Sequence, residues 1–130
     1  MNQNVFFYLK NKSEVTYLNA DMTVNDALPI MKESGYTAVP VINNDGSYAG
    51  TITDGDFLWH ITENGSMDAK IKSLIRKEYS IPANINTEIE EIFSCSLDQN
   101  FVPIVDDRYI FIGIVTRKMI LHYLIQESRV

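Results

Sequence analysis

The sequence predicts an α/β protein made of two tandem repeats, each running strand, helix, strand, strand, helix. Three observations carry this reading. First, the chain duplicates itself: Ala38-Val39-Pro40-Val41-Ile42 matches Phe101-Val102-Pro103-Ile104-Val105, and Gly50-Thr51-Ile52-Thr53 matches Gly113-Ile114-Val115-Thr116. Pro40 to Pro103, Gly50 to Gly113 and Thr53 to Thr116 are each 63 positions apart, and a fixed internal period marks one structural unit used twice. Second, each pair of β-rich stretches flanks a turn signal, Asn44-Asp45-Gly46 in the first copy and Asp106-Asp107-Arg108 in the second. Third, each matched threonine precedes a helical apolar pattern in the same register, Phe57-Leu58-Trp59-His60-Ile61 and Ile120-Leu121-His122-Tyr123-Leu124.

The elements follow in order. Glu14–Leu18 is a short β-rich stretch. Thr23 has the side chain of an N-cap, opening a helix to about Ser34. Gly35 suits the left-handed residue that ends it. Pro29 falls inside that helix, where its missing N–H should bend or delay it. Strands are predicted over about Ala38–Asn43 and Ser47–Thr53, then a helix over Asp54–Asn64. Gly65 and Ser66 open a linker with a predicted short helix, Asp68–Arg76, whose Ile71, Leu74 and Ile75 share a face. In the second copy Glu88–Phe93 aligns with Asp26–Met31 at a spacing of 62, and the last helix runs to about Glu127. The division is 1–65 for repeat one, 66–78 for the linker and 79–130 for repeat two. A repeat of about sixty residues buries little apolar area alone. The two are therefore expected to pack sheet against sheet with pseudo-twofold symmetry around one shared core, leaving two equivalent clefts between them, where ligands bind preferentially.

Composition limits the function. With 17 acidic against 11 basic residues the net charge is −6, which disfavours nucleic acid and anionic membranes as partners. Any phosphate site must then be local. No apolar run reaches the roughly 20 residues that span a bilayer, and the N-terminus lacks the basic and small-residue features of a signal peptide. The single cysteine, Cys95, forms no internal disulfide, so a cytoplasmic location is expected. His60 and His122 have no ligating companions at metal spacing, so no metal is expected. Nucleophile elbow, Walker loop and dinucleotide fingerprint are all missing, and the chain is not expected to be an enzyme.

Chemistry concentrates at the strand-to-helix junctions. Gly50 and Gly113 allow close backbone approach. Thr53 and Thr116 stand where a helix N-terminus begins, and their hydroxyls with nearby N–H groups suit phosphate. Asp56, one turn on, can accept from a ribose diol. The simpler readings are that the threonines are N-caps and that Asp56 is a first-turn acid favoured by the helix dipole. Arg117 and Lys118 oppose the dipole at their helix N-terminus, a local conflict that hints at an anion to be bound.

From about Val15 to Leu124 these residues resemble the CBS repeat. Its pattern is a hydrophobic–Pro–Val strand, a hairpin, and then Gly-hydrophobic-x-Thr/Ser-x-x-Asp entering a helix. Copy one has the motif complete as Gly50-Thr51-Ile52-Thr53-Asp54-Gly55-Asp56. Copy two has Gly113-Ile114-Val115-Thr116-Arg117-Lys118-Met119, with methionine in place of the aspartate. The resemblance implies a regulatory pair that binds an adenine nucleotide without catalysis. It implies one cleft formed by Thr53 and Asp56 with Asn100, Phe101 and Val102. The second would use Thr116, Arg117 and Lys118 with Tyr36, Thr37 and Ala38, and draw on Met22 and Thr23. A narrower similarity, through Ser34–Val41 and Phe111–Lys118, is to small stand-alone CBS proteins of Gram-positive bacteria that bind cyclic di-AMP. Lys118, where a second arginine is expected, and the intact Thr53/Asp56 motif depart from it.

Two ligand classes therefore stay open, AMP, ADP or ATP on one side and cyclic di-AMP on the other. The alternative is an interaction or dimerisation module that needs no ligand. Either way the resemblance implies a homodimer through the last helix of each copy. No effector domain is visible, so the signal is expected to pass through a separate effector protein or a change in self-assembly.

Overall fold

The structure, a computed structural model, describes residues 2–128. In chain order the elements are β1 (Lys10–Asn11), β2 (Leu18–Asn19), α1 (Val24–Ser34), β3 (Ala38–Ile42), β4 (Tyr48–Thr53) and α2 (Asp54–Thr62). They continue as β5 (Ala83–Asn84), α3 (Ile89–Cys95), β6 (Phe101–Val105), β7 (Phe111–Thr116) and α4 (Arg117–Ser128). The chain forms two compact units, Thr16–Ser80 and the combination of Met1–Val15 with Ile81–Val130.

In the unit Thr16–Ser80, β2 pairs parallel to β3 and β3 antiparallel to β4. Thr23 caps α1 by accepting from Asp26 N–H, and Gly35 closes the helix at φ +73°. α1 continues through Pro29. Pro29 is exposed, so water can take the carbonyl its missing N–H leaves unpaired. The hairpin turns on Asp45, whose carboxylate accepts from Ser47 N–H at 2.9 Å, and on Gly46 at φ +91°. Leu18, Val24, Ala27, Val39, Val41, Ile52, Phe57 and Ile71 form the core.

The linker does not form the expected helix; it makes one 3₁₀ turn, Ile71–Leu74. Its backbone is committed elsewhere. Ala69 and Met67 carbonyls accept from Val24 and Asn25 N–H, both at 2.9 Å, and Ile71 and Lys72 N–H donate to Met22 and Ala20. These bonds satisfy the open first turn of α1 and remove the carbonyls and N–H groups a linker helix would need. They also occupy Met22 and the bridge Thr23–Lys70. Ile75 packs over Gly50 (φ +153°), where a Cβ would collide with its methyl.

The second unit repeats the plan. β5 pairs parallel to β6, and β6 antiparallel to β7, with a register shift between Ile104 and Val105 that mirrors the one between Val41 and Ile42. Asp106 accepts from Arg108 and Ile110 N–H to form the hairpin turn. Tyr109, aligned with Gly46, adopts φ +66°. The core contains Val5, Tyr8, Ile89, Ile92, Val102, Ile104, Val115 and Ile120.

The segment up to Val15 belongs to the compact unit that holds the second sheet. β1 pairs antiparallel to β7, Lys10 opposite Ile114 and Asn11 opposite Gly113. The anchors are aromatic: Tyr8 is 1% exposed and meets Phe93 and Tyr123 edge-on at centroid distances of 5.3 and 5.0 Å. Burial, reinforced by Tyr123, pushes its phenol up to about 12. The first strand of repeat one is also shorter than Glu14–Leu18: it is Leu18–Asn19, and Glu14 falls in the 3₁₀ turn Lys12–Glu14. The buried apolar residues fall in two clusters, one within each unit.

Candidate ligand site

At the end of β4 the sheet hands over to α2. Ala38 pairs with Thr53 in the ladder, and Asp54 N–H donates to Thr37 O at 3.0 Å. Thr53 accepts from Asp56 N–H at 3.2 Å, and Asp56 Oδ2 accepts from Thr53 N–H at 2.9 Å. This reciprocal capping box satisfies two donors that a helix start leaves open. Because Thr53 accepts in this bond, its own hydroxyl proton stays available to a ligand. The second oxygen of Asp56, Oδ1, accepts from Arg76 Nε at 2.9 Å. The Asp56 side chain is only 7% exposed.

The junction of β7 and α4 has the same backbone and different chemistry. Phe101 pairs with Thr116 in the ladder, and Thr116 Oγ1 accepts from Met119 N–H at 3.2 Å. Met119 cannot return the bond, so the box is half formed. Arg117 turns away from its own helix: Nε donates to Ser96 O and Nη2 to Leu97 O at 3.0 Å. These carbonyls close α3, so the guanidinium sits at a helix C-terminus, where a cation is favoured. The conflict expected of a cation at the α4 N-terminus is relieved in this way. Lys118 is exposed.

The expected residues thus fall into two within-unit groups, Thr37 and Ala38 beside Thr53, and Phe101 and Val102 beside Thr116. Tyr36 is 51% exposed, and Thr37 and Asn100 are exposed too. Phe101 is buried, and Val102 lies in the core of its unit, which leaves chiefly its backbone for any ligand. Arg76 is the residue that sequence reasoning missed. Its signal is weak, a lone arginine at the end of a predicted linker helix, with nothing nearby in sequence to give its target.

Each unit also has a groove between its helices. One of about 380 Å³ is lined by Met31, Tyr36, Phe57, Leu58 and Ile61. The equivalent, of about 480 Å³, is lined by Phe93, Leu97, Ile120, Leu121 and Leu124. Neighbouring Trp59 and Ile125 are 63% and 52% exposed. His60 lies 2.7 Å from Ser66 O and His122 lies 3.1 Å from Gln126. Among the described residues no group of three or more His, Cys, Asp or Glu could hold a metal ion, and no helix is long and apolar enough to cross a membrane.

The duplicated sheet and the duplicated strand-to-helix junction define a tandem-repeat α/β module. The sequence model of the CBS domain matches residues 10–63 and again 71–126, and the chain belongs to that family. An uncharacterised protein of Methanocaldococcus jannaschii is 31% identical over 115 residues, covering 86% of this chain and 27% of that protein. The chain spans 20% to 27% of the length of the curated relatives it matches. Among solved structures, CbpB in complex with c-di-AMP superposes with TM-score 0.87 at 23% identity, over 95% of this chain and 85% of that one. CBSX2 in complex with AMP superposes with TM-score 0.79 at 20% identity, over 98% and 99%. These two likenesses establish the fold.

Proposed function

We propose that this chain is a non-catalytic regulatory module that senses an adenine nucleotide. The observation that carries the reading is the complete Gly50–Asp56 junction, with a threonine hydroxyl proton and a carboxylate held one helical turn apart. Support comes from solved relatives in the same fold, one holding AMP and one holding c-di-AMP. In this reading the ligand occupies clefts to which both repeats contribute, Thr53 and Asp56 with the strand start Asn100–Val102, and Thr116, Arg117 and Lys118 with Tyr36–Ala38. The nucleotide favours one arrangement of the protein, and a partner responds to that arrangement. The exposed apolar faces of α2 and α4 support a homodimer in this reading, and light scattering showing a monomer at tens of micromolar, on the order of assay concentrations, removes that part.

The test is a thermal-shift panel of AMP, ADP, ATP, adenosine, S-adenosylmethionine, NAD and cyclic di-AMP. A ligand at 100 times its dissociation constant should add about 2.7 kcal/mol of stability. A second reading, a ligand-independent interaction module, is favoured by one observation: Asp56 and Arg117 both have partners within their own unit. A flat panel supports that reading and removes the first.

A further inference from the structure

Arg76 follows the Ile71–Leu74 turn and is held from two sides. Its Nε donates to Asp56 Oδ1 at 2.9 Å, and its guanidinium carbon lies 3.9 Å from the centre of the Tyr79 ring. Thr53 N–H already holds the other carboxylate oxygen. The arginine side chain is 54% exposed and the aspartate 7%, so the guanidinium covers the oxygen that Thr53 leaves open. A ribose hydroxyl approaching Oδ1 meets Arg76 first.

Charge sharpens the point. The first turn of α2 carries Asp54 and Asp56, whereas α4 begins Arg117-Lys118-Met119. Two carboxylates repel a phosphate, and Arg76 is the cation brought to one of them, Asp56. Its Nε–H serves Asp56, while the fork of a guanidinium has further N–H donors suited to phosphate. Stacking on Tyr79 fixes the plane of that fork and lowers the entropy lost when an anion binds.

We propose that Arg76 is the specificity-determining residue of the first repeat's site, a guanidinium that exchanges partners. Paired with Asp56, it shuts out ligands without phosphate; a nucleotide phosphate takes it over and frees Asp56 for the ribose. The exchange keeps one charge-assisted pair for another. A neutral nucleoside offers no anion in return and must leave the guanidinium unpaired. This inference rests on the ribose reading of Asp56.

Calorimetry with AMP and adenosine, on wild type and Arg76→Gln, tests it. The variant should bind adenosine about tenfold more tightly and AMP about tenfold more weakly, the scale of one charge-assisted hydrogen bond. The preference for AMP over adenosine then collapses. Arg76→Lys, charged but without the fork, should lose part of it. If Arg76→Gln does not fold, Tyr79→Leu, which removes only the stacking, should move the preference the same way by less. Binding of both ligands with an unchanged preference overturns the inference and leaves the ribose role standing. Failure of either ligand to bind any of these proteins overturns the ribose role, and the exchange with it.

Discussion

At the end of β4 the chain closes a full capping box, Thr53 with Asp56, and brings Arg76 onto the carboxylate. At the end of β7 it closes half a box, Thr116 with Met119 N–H, and sends Arg117 to the carbonyls that end α3. The backbones agree even in the bulge at the equivalent position of each hairpin. The difference is electrostatic. One junction has acids in the helix and a cation from elsewhere in the chain, and the other has cations in the helix and no acid. A duplicated fold can therefore hold its backbone geometry constant while the charge at its two junctions diverges.

The largest effect that separates the units should come from their glycines. A Cβ at Gly113 (φ +156°) collides with the Lys10 carbonyl, part of a backbone strand. A Cβ at Gly50 collides with a side-chain methyl of Ile75, which can turn aside. Overpacking costs about 1–3 kcal/mol and more where nothing can move. Gly113→Ala should lose about 3 kcal/mol or more in urea denaturation, and Gly50→Ala about 1–2. The reverse order breaks the account of how each lead-in segment is seated.

Next come the ligands. Asp56→Ala should weaken AMP by about 1.5–3 kcal/mol, and Arg117→Ala should weaken cyclic di-AMP by a similar amount. Cyclic di-AMP has its 3′ oxygens tied up in phosphodiesters and gains less from a carboxylate. Both changes also remove structural contacts, so each should lower stability by about 1 kcal/mol. Asp56→Asn, which keeps an acceptor for Thr53 N–H, separates the cap from the charge. Calorimetry should give a crossed pattern, and equal losses for both ligands in both variants mean that the sites are not specialised.

A smaller difference, confined to alkaline solution, concerns Tyr8. Its folded value, about 12, lies above the ordinary 10.0. The neutral phenol is favoured in the fold, so its stabilisation is whole below pH 10 and is lost as pH rises toward 12. The unit holding residues 1–15 should loosen over that range, and Tyr8→Phe should remove this dependence in a circular-dichroism titration. Loss of the N-terminal strand at neutral pH in wild type would contradict the anchoring described.

The smallest effect should lie in the hairpins. Tyr109 takes a left-handed conformation where its counterpart is Gly46. Asn tolerates that conformation better than an aromatic residue. Tyr109→Asn should raise stability by about 0.5–1 kcal/mol, and no gain in melting temperature would mean that the ring earns its place through contacts.

How much was legible follows the range of each interaction. Thr23 as a cap, Gly35 as a helix end, the two hairpins and the 63-residue period could all be read from the sequence. So could Thr53 as the cap of the second helix with Asp56 one turn on, because the capping box joins residues three apart. The linker helix was misjudged from the shared face of Ile71, Leu74 and Ile75. Ile71 is buried and Leu74 and Ile75 are half-buried, but the linker backbone is spent on the start of α1 and the residues before it, 42 to 52 positions upstream.

The repeat, the order of elements and the residue types at each junction are local properties of the chain, because caps, turns and periodicity act within a turn or two. Packing across the chain sets the rest: β1 lies against β7, Arg76 on Asp56 and Arg117 on the carbonyls that end α3. Tyr8 finds Phe93 and Tyr123 across more than eighty residues, and Arg76 finds Asp56 across twenty. Aromatic burial and ion pairing hardly depend on separation along the chain, so they leave no period or motif to read, and the partner is chosen by which surfaces packing brings together.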